Sequence, residues 1–253
     1  MVYVLESYLS TFEMTPSLRS GLANAIYALP ASSSSRAELK NAEDDINQGY
    51  SLFRSGRFTE SRIKLESAYD IIKYSSDVPS ATKTFIKTQV NIASGEEQLE
   101  DNNISTARDQ FHQAYIVAQD HQQEASALVG EALSEKEALH DIHAMELLDQ
   151  AYGRSTDEDQ KSFILMTKGG ILASRRDYDD AEANRDLEQA VSIAVGAQQK
   201  TLALVTYASV VHNFNPARAS EILGQAEAYC NENAAWAREM RTTIQDYHQK
   251  WGS

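Results

Sequence analysis

The sequence predicts an all-α fold of short antiparallel helices, and three observations carry that prediction. Helix breakers are scarce, with 11 glycines and 4 prolines in 253 residues. Apolar residues recur at three- and four-residue intervals over segments of about 15 to 20 residues, which is the spacing of one helix face. No alternating strand pattern of useful length occurs. We count about thirteen helices, joined by links short enough to make neighbours antiparallel.

The first predicted element is an N-terminal helical segment with a serine-rich linker, residues 1–34. Thr15 followed by Pro16 predicts a helix start, because threonine is a good N-cap and proline fits the first helical position. The run "ASSSS" at residues 31–35 indicates a linker. We expect no secretory signal, because the first residues lack a basic region and Glu6 interrupts their apolar run.

Capping signals mark further helix starts along residues 35–230. The stretch "SRAE" from Ser35 to Glu38 is a predicted capping box, and "TDED" from Thr156 to Asp159 is another. Asn215 followed by Pro216 repeats the cap-and-proline signal. These signals predict one helix start each.

Two segments of this region are self-similar, which is the sign of a helical array. "GYSLFRSGRFTESRIKLESAY" begins at Gly49, and "GEEQLEDNNISTARDQFHQAY" begins 46 residues later at Gly95. Both contain a small residue, a large apolar residue four positions on, and a closing Ala-Tyr. The matched pairs are Phe58 with Ile104, Ser61 with Ala107, Leu65 with Phe111, and Ala68 with Ala114.

The small–large–small pattern returns three more times. It recurs as Ala144, Leu148 and Ala151, and again as Ala219, Leu223 and Ala226. A related unit begins at Gly169, with Leu172 and Tyr178 before the small residue. For this unit we predict Ala181 as the small packing residue, followed by an insertion of about two residues, by the same spacing argument.

The pattern resembles the tetratricopeptide repeat family. The residues that match its glycine, leucine, small-residue and large-residue positions are Gly49, Leu52, Ser61 and Leu65, then Gly95, Ala107 and Phe111, then Gly169, Leu172 and Ala181. The resemblance covers roughly residues 36–230 and implies an α-solenoid, a right-handed superhelix of about five hairpins. Residues 231–253 are then a C-terminal capping helix.

The sequence departs from the family in three respects. The units are longer than the usual step of about 34 residues. The opening tryptophan is missing, and the closing proline is missing or displaced. A helical bundle is therefore the alternative architecture.

The resemblance implies a non-enzymatic protein–protein interaction module, a scaffold or adaptor with a concave groove lined by the first helix of each pair. Such a groove receives a peptide or an amphipathic helix. The candidate groove residues are Ile46, Tyr50, Phe53, Ile92, Val129, Leu133 and Met166. The same positions also suit packing between repeats. Some family members clamp a terminal carboxylate with basic residues and asparagine, which are absent at the matching positions.

Charge and composition narrow the partner class. The net charge of −14 disfavours nucleic acid and suits a basic amphipathic helix. No apolar run approaches the roughly 20 residues of a membrane span, so we expect no membrane insertion. Cys230 is the single cysteine, which excludes an internal disulfide and suits a reducing compartment, hence a cytoplasmic protein. A homo-oligomer is compatible with these features, and no motif predicts a cofactor.

One stretch, "EALHDIHAMELLDQAY", places metal-ligand residue types at three-residue steps. They are Glu137, His140, His143 and Glu146. Aligning Ala144 with Ser61 puts His140 at the bend between two helices, so we predict capping roles and no metal site. Two alternatives to the interaction module stay open: a regulatory sensor that binds a small peptide or metabolite, and a metal-dependent helical enzyme that uses this cluster.

Overall fold

The computed structural model describes residues 16–30, 33–175, 180–230 and 235–251, and these residues form twelve α-helices and no strand. Seven helices precede Ser155: α1 (Pro16–Ala28), α2 (Ser34–Arg54), α3 (Phe58–Ile72), α4 (Ser80–Glu100), α5 (Ile104–Val117), α6 (His121–Glu137) and α7 (Asp141–Arg154). Five follow it: α8 (Glu158–Ser174), α9 (Asp180–Ile193), α10 (Ala197–His212), α11 (Pro216–Tyr229) and α12 (Ala235–Trp251). The all-α prediction is confirmed for this part of the chain.

Consecutive helices pack as hairpins. The five pairs are α2 with α3, α4 with α5, α6 with α7, α8 with α9, and α10 with α11. The chain divides into two compact units, one ending at Arg154 with α7 and the other beginning at Ser155. Within each unit the second helix of a hairpin also packs against the first helix of the next. The hairpin order agrees with a helical repeat, and the continuous right-handed superhelix stays a prediction.

Four of the five second helices bury the predicted small–large–small triplet. The triplets are Ser61, Leu65 and Ala68 in α3, Ala107, Phe111 and Ala114 in α5, Ala144, Leu148 and Ala151 in α7, and Ala219, Leu223 and Ala226 in α11. Small side chains at these positions let the two helices approach closely, and the large residue fills the space between them. The predicted packing is confirmed for these four hairpins.

The register of the fourth hairpin differs from the prediction. Ala181 is exposed, and the buried triplet of α9 is Ala183, Leu187 and Ala190. Five residues lie between the end of α8 at Ser174 and the start of α9 at Asp180, whereas three residues lie between the two helices of each of the other four hairpins. The two additional residues move the packing face by two positions, so the prediction of Ala181 was wrong.

Three first helices carry a glycine that meets the large residue of the triplet in their own hairpin. Gly49 faces Leu65, Gly95 faces Phe111, and Gly169 faces Leu187. A Cβ atom on any of these glycines would lie within 2.8 Å of the opposing side chain. The glycines therefore permit the close approach of the paired helices.

Two predicted helix starts are confirmed, at Pro16 and at Pro216. The Asn215 side chain accepts a hydrogen bond from the backbone N–H of Arg218 at 3.1 Å, so it is the N-cap of α11. Thr15, the cap predicted for α1, lies outside the described residues, as do the other residues of segment 1–15.

Two predicted capping boxes begin at the wrong residue. The N-cap of α2 is Ser33 and not Ser35, because the Ser33 hydroxyl accepts from the Arg36 backbone N–H at 3.2 Å. The N-cap of α8 is Asp157 and not Thr156, because the Asp157 carboxylate accepts from the Gln160 backbone N–H at 2.7 Å. Both corrections move the start of the helix by one or two residues and leave the helix itself in place.

The last helix, α12, packs against α10 and α11. It buries Met240 and Ile244, and Trp236 and Tyr247 of the same helix are half-buried. The Cys230 thiol just before it is buried, and burial raises its pKa. Burial outweighs the opposing effects of Arg241 and Thr201 on this pKa.

Candidate functional site

Helix α1 lies against α2 and α4, which are the first helices of the first two hairpins. Its buried side chains are Leu22, Ala25 and Ile26, which stand at i, i+3 and i+4 and so share one face of the helix. We call the surface of α2 and α4 that contacts α1 the α1-binding face. It already holds an amphipathic helix from the chain itself.

The crossing of α1 over the start of α4 is close. A Cβ atom added to Gly21 would lie 3.4 Å from Pro79 and 3.4 Å from Thr82. Arg36 in the first turns of α2 reaches back, donating to the Leu29 carbonyl at 3.3 Å. These contacts hold the middle of α1 against the start of α4 and the residue after α1 against the start of α2.

Six of the seven predicted groove residues are buried. They are Ile46, Tyr50 and Phe53 in α2, Ile92 in α4, Val129 in α6 and Met166 in α8, while Leu133 in α6 is half-buried. Phe53 packs edge-to-face on Phe58, with ring centroids 5.1 Å apart, so it belongs to the core of its own hairpin. Buried side chains contact a ligand only after a covering group moves. That these seven residues bind a partner stays a prediction.

A buried polar stripe runs along α4. Thr82, Gln89 and Glu96 follow one another at seven-residue steps, which places them on one face of the helix. Thr82 is also the residue that Gly21 of α1 approaches. Gln89 is 4% exposed and Glu96 is 0% exposed, yet the Gln89 Oε1 and both Glu96 carboxyl oxygens have no hydrogen-bond partner.

The surroundings of Glu96 keep its carboxyl group neutral near physiological pH. Burial raises its pKa to about 8, and the nearby Glu100 carboxylate adds to the effect. An ionised carboxylate without a partner in this position would be far more costly than the protonated acid. The sequence pattern had not singled out Glu96, because burial of a charged residue has no local signature.

A surface cavity of about 190 Å³ lies where α1 meets α2. It is lined by Arg19 from α1 and by Asn47, Tyr50, Ser51 and Arg54 from α2. The α2 residues stand at i, i+3, i+4 and i+7, so a single helix face presents all of them. Every lining side chain can donate a hydrogen bond, and none of these residues is acidic.

The phenol of Tyr50 is the buried wall of this cavity. The residue is 6% exposed, and its hydroxyl has no hydrogen-bond partner. Burial raises the pKa of the phenol, and the positive charge of Arg19 opposes that rise. Arg19 is thus near enough for its charge to act on the Tyr50 oxygen.

The predicted histidine cluster is divided by a turn. Helix α6 ends at Glu137 and α7 begins at Asp141, so His140 lies in the bend as predicted. His140 Nδ1 is 2.7 Å from Glu135 Oε2, and His143 Nδ1 is 3.3 Å from Glu146 Oε2. His143 and Glu146 thus pair with each other, whereas His140 pairs with Glu135 and Glu137 pairs with Lys136 at 3.1 Å.

Glu135 is the residue that the sequence pattern missed at this bend. Its buried carboxylate also accepts from Arg108 at 3.3 Å. Burial alone would raise the pKa of Glu135, but the hydrogen bonds from His140 and Arg108 outweigh burial and lower it. No group of three or more His, Cys, Asp or Glu side chains placed to hold a metal occurs among the described residues.

No protein-family model matches the chain, and no curated protein matches it. Within the described ranges, none of the helices has the length and apolar character needed to cross a bilayer.

Proposed function

We propose that the protein is a non-enzymatic interaction module that binds an amphipathic helix of another protein on its α1-binding face. The observation that supports this is α1 itself, which lies on α2 and α4 through Leu22, Ala25 and Ile26. Helix recognition through apolar anchors at i, i+3 and i+4 is a recurring mode of protein–protein binding. A face that accepts one such helix has the shape and polarity to accept another.

The chemistry of α1 specifies the partner. Residues 16–28 contain one arginine and no acidic residue, in a chain whose net charge is −14. A competing helix needs a small residue at the position of Gly21, because α1 passes close to Pro79 and Thr82 there. It also needs apolar residues at the positions of the three anchors. The expected partner is a neutral or basic amphipathic helix.

In the intact chain the partner competes with α1 for the face. The apparent affinity is then the intrinsic affinity reduced by the fraction of molecules in which α1 has left the face. The protein binds weakly while α1 is docked and tightly once it is released. A weak interaction of the intact chain is part of the proposal.

The test uses the full-length chain with Leu22→Asp and Ile26→Asp combined, which removes two apolar anchors of α1. The probe is a fluorescent synthetic peptide of residues 16–30, and its binding is measured by fluorescence anisotropy. We expect saturable binding to the variant, at least about ten-fold tighter than to the unaltered chain, because α1 no longer competes.

The control carries the same added charge on exposed positions of the same helix, as Asn24→Asp with Ala28→Asp. It should bind the peptide as weakly as the unaltered chain. Circular dichroism confirms that both variants keep their helical content. If the Leu22→Asp/Ile26→Asp chain is well folded and does not bind the peptide, the proposal is overturned.

A further inference from the structure

Two large apolar side chains are exposed where α6 turns into α7. Leu139 is 85% exposed and Ile142 is 64% exposed, and Met145 is half-buried three residues farther on. We infer that these three residues, which we call the α7 ridge, bind a basic amphipathic helix of a partner protein. The α7 ridge is separate from the α1-binding face, so the inference does not depend on the proposed function.

Leu139 has a backbone conformation that suits glycine. Its φ is 63°. Its backbone N–H and that of the next residue donate to the carbonyls of Lys136 and Glu135, both at 2.9 Å. This pair of bonds is the Schellman motif, in which the left-handed residue is usually glycine. Gly56 and Asn102 stand at the equivalent position in two other hairpins. A leucine there is strained, because its Cβ comes too close to the backbone that follows.

The side chain of Leu139 does not offset this strain by packing, because most of it contacts solvent. The His140 carbonyl accepts from the Ala144 backbone N–H at 3.0 Å, which places Leu139 just before the N-cap of α7. An apolar residue at that position often packs, as a hydrophobic staple, on the residue four places into the helix. That residue is Ala144, which is fully buried, while Leu139 is exposed. Leu139 therefore lowers stability at its own position and adds little to the core.

A buried carboxylate fixes the bend that presents Leu139. Glu135 Oε2 is 2.7 Å from Nδ1 of His140, the residue after Leu139. Glu135 Oε1 accepts from Arg108 of α5 at 3.3 Å. The bend is thus held to both α6 and α5, as a strained residue requires in order to persist. A bend that is already fixed loses little conformational freedom on binding, so Leu139 is a preorganised anchor.

The spacing and charge of the α7 ridge specify its partner. Its three residues follow one another at three-residue steps, and side chains at that spacing form ridges that pack into the grooves of another helix. Residues 136–146 contain one lysine and three acidic residues, a net charge of −2 while the histidines are neutral. A complementary helix has an apolar stripe to contact the ridge and basic residues beside the stripe.

A second copy of the chain is a less suitable partner. A stable dimer buries about 800 Å² on each subunit, from roughly 20–30 residues. Three apolar residues supply only a small part of that area, and a second copy would bring the same negative charge to the contact. The observations therefore favour a helix of a different protein.

The probe is a fluorescently labelled synthetic peptide of about 18 leucine and lysine residues, long enough to form an isolated helix. Leucine stands at i, i+3, i+4 and i+7, which makes one face apolar. The control peptide has the same composition in an order that forms no stripe. Fluorescence anisotropy measures the binding of both peptides to the full-length chain. We expect saturable binding of the striped peptide and binding of the control that is weaker by about ten-fold or more, because only the stripe buries the anchors.

Leu139→Asn is the deciding variant, because it should move binding and stability in different directions. Loss of the apolar anchor should weaken binding of the striped peptide by about ten-fold or more. Asparagine accepts the left-handed conformation better than leucine, so the melting temperature should stay the same or rise. A purely structural role for Leu139 predicts a lower melting temperature instead, and that result would overturn the inference.

Two further variants locate the contact. Ile142→Gln should weaken the striped peptide as much as Leu139→Asn does, because it removes the second exposed anchor. Ile116→Gln is the matched control, since Ile116 is also exposed, at 59%. It lies near the end of α5, which leads into the start of α6, whereas the ridge follows the end of α6. Its replacement should leave the affinity unchanged.

The remaining outcomes also decide the inference. Equal affinities of the unaltered chain, Leu139→Asn and Ile142→Gln would show that the peptide binds elsewhere, for instance on the α1-binding face. Equal binding of the two peptides would show that charge alone attracts them. Absence of saturable binding, or self-association in sedimentation velocity that Leu139→Asn abolishes, would assign no partner helix to the ridge. Each of these results overturns the inference.

Discussion

The carboxyl group of Glu96 is fully buried without a hydrogen-bond partner and has a pKa of about 8. In the unfolded chain a glutamate ionises above its ordinary value of 4.5. Between those two pH values the unfolded state releases this proton and the folded state keeps it, so folding stability falls as pH rises. Each pKa unit corresponds to about 1.4 kcal/mol, which makes the total loss roughly 5 kcal/mol above pH 8.

Replacing Glu96 with glutamine should remove that dependence. We expect the free energy of unfolding of Glu96→Gln, minus that of the unaltered chain, to rise steadily from pH 4.5 to pH 8 and then level off. Urea unfolding at several pH values measures it. Glu100→Gln, at a neighbouring exposed carboxylate, should change the curve less. A difference for Glu96→Gln that stays flat with pH would show that this carboxyl does not titrate as described.

Single residues of the site were only partly predictable from the sequence. Tyr50 was predicted to bind a partner because of its place on a first helix; it lines a cavity, and its binding of a partner stays a prediction. The other wall is Arg19, which is 31 residues away in the chain, and no local spacing relates the two. The apolar pattern of α4 likewise predicts a helix but not that Glu96 is enclosed. Whether a side chain is buried depends on tertiary packing, which the spacing of apolar residues along the sequence does not reveal.

The turns within hairpins also show that local sequence predicts only part of the structure. Gly56, Asn102 and Leu139 each stand second in a three-residue turn, with φ of 72°, 58° and 63°. Glycine and asparagine adopt this left-handed conformation readily, so their presence in the sequence predicts a turn. Leucine does not, yet Leu139 takes the same conformation because the helices on either side of it pack as in the other hairpins. Packing there outweighs the local preference.

At the scale of the helix, adjacent glycines in α8 give a matched pair for testing the hairpin contact. A Cβ atom on Gly169 would lie 2.6 Å from Leu187, whereas a Cβ on Gly170 would meet nothing within 4 Å. Overpacking of a close contact costs about 1–3 kcal/mol. Replacing a helical glycine with alanine in open space stabilises by about 0.5–1 kcal/mol, because the unfolded chain loses freedom.

We therefore expect opposite signs from two neighbouring substitutions. Gly169→Ala should lower the melting temperature, and Gly170→Ala should raise it slightly. Differential scanning calorimetry on the full chain measures both. Equal effects of the two substitutions would mean that the α8–α9 contact does not depend on the glycine.

Helix order and packing register were largely predictable because they follow from short-range spacing. A small residue, then a large one four positions later, identifies the buried face of α3, α5, α7 and α11. The same spacing failed at α9, because five residues and not three lie between the two helices of that hairpin. Helix starts moved by one or two residues where neighbouring residues offer equivalent caps, as in the run of serines before α2.

At the scale of the molecule, the division into two units could not be predicted from the repeat. The small-residue pattern continues from Ala144 to Ala183 at a spacing close to that of the other units. The chain nevertheless divides into two compact units after Arg154. The small-residue pattern predicts the packing inside each hairpin. The division depends on contacts between hairpins, and no repeated spacing in the sequence predicts those contacts.

The net charge of −14 acts on a partner before any contact forms. Opposite charges on a basic helix should speed its approach, and salt should suppress that gain because screening acts over about 10 Å at 0.1 M. The comparison uses two versions of the 16–30 peptide, with lysine or with glutamine at the exposed positions of Asn24, Tyr27 and Ala28. Both keep the apolar anchors, so they differ in charge alone.

Stopped-flow measurement of both peptides with the Leu22→Asp/Ile26→Asp chain tests this argument at several salt concentrations. The association rate of the lysine peptide should fall by about ten-fold between low and high salt, while that of the glutamine peptide changes little. Dissociation rates should depend on salt only weakly, because the buried anchors are the same. Equal salt dependence of the two association rates would mean that the acidic charge lies too far from the α1-binding face to select a basic partner.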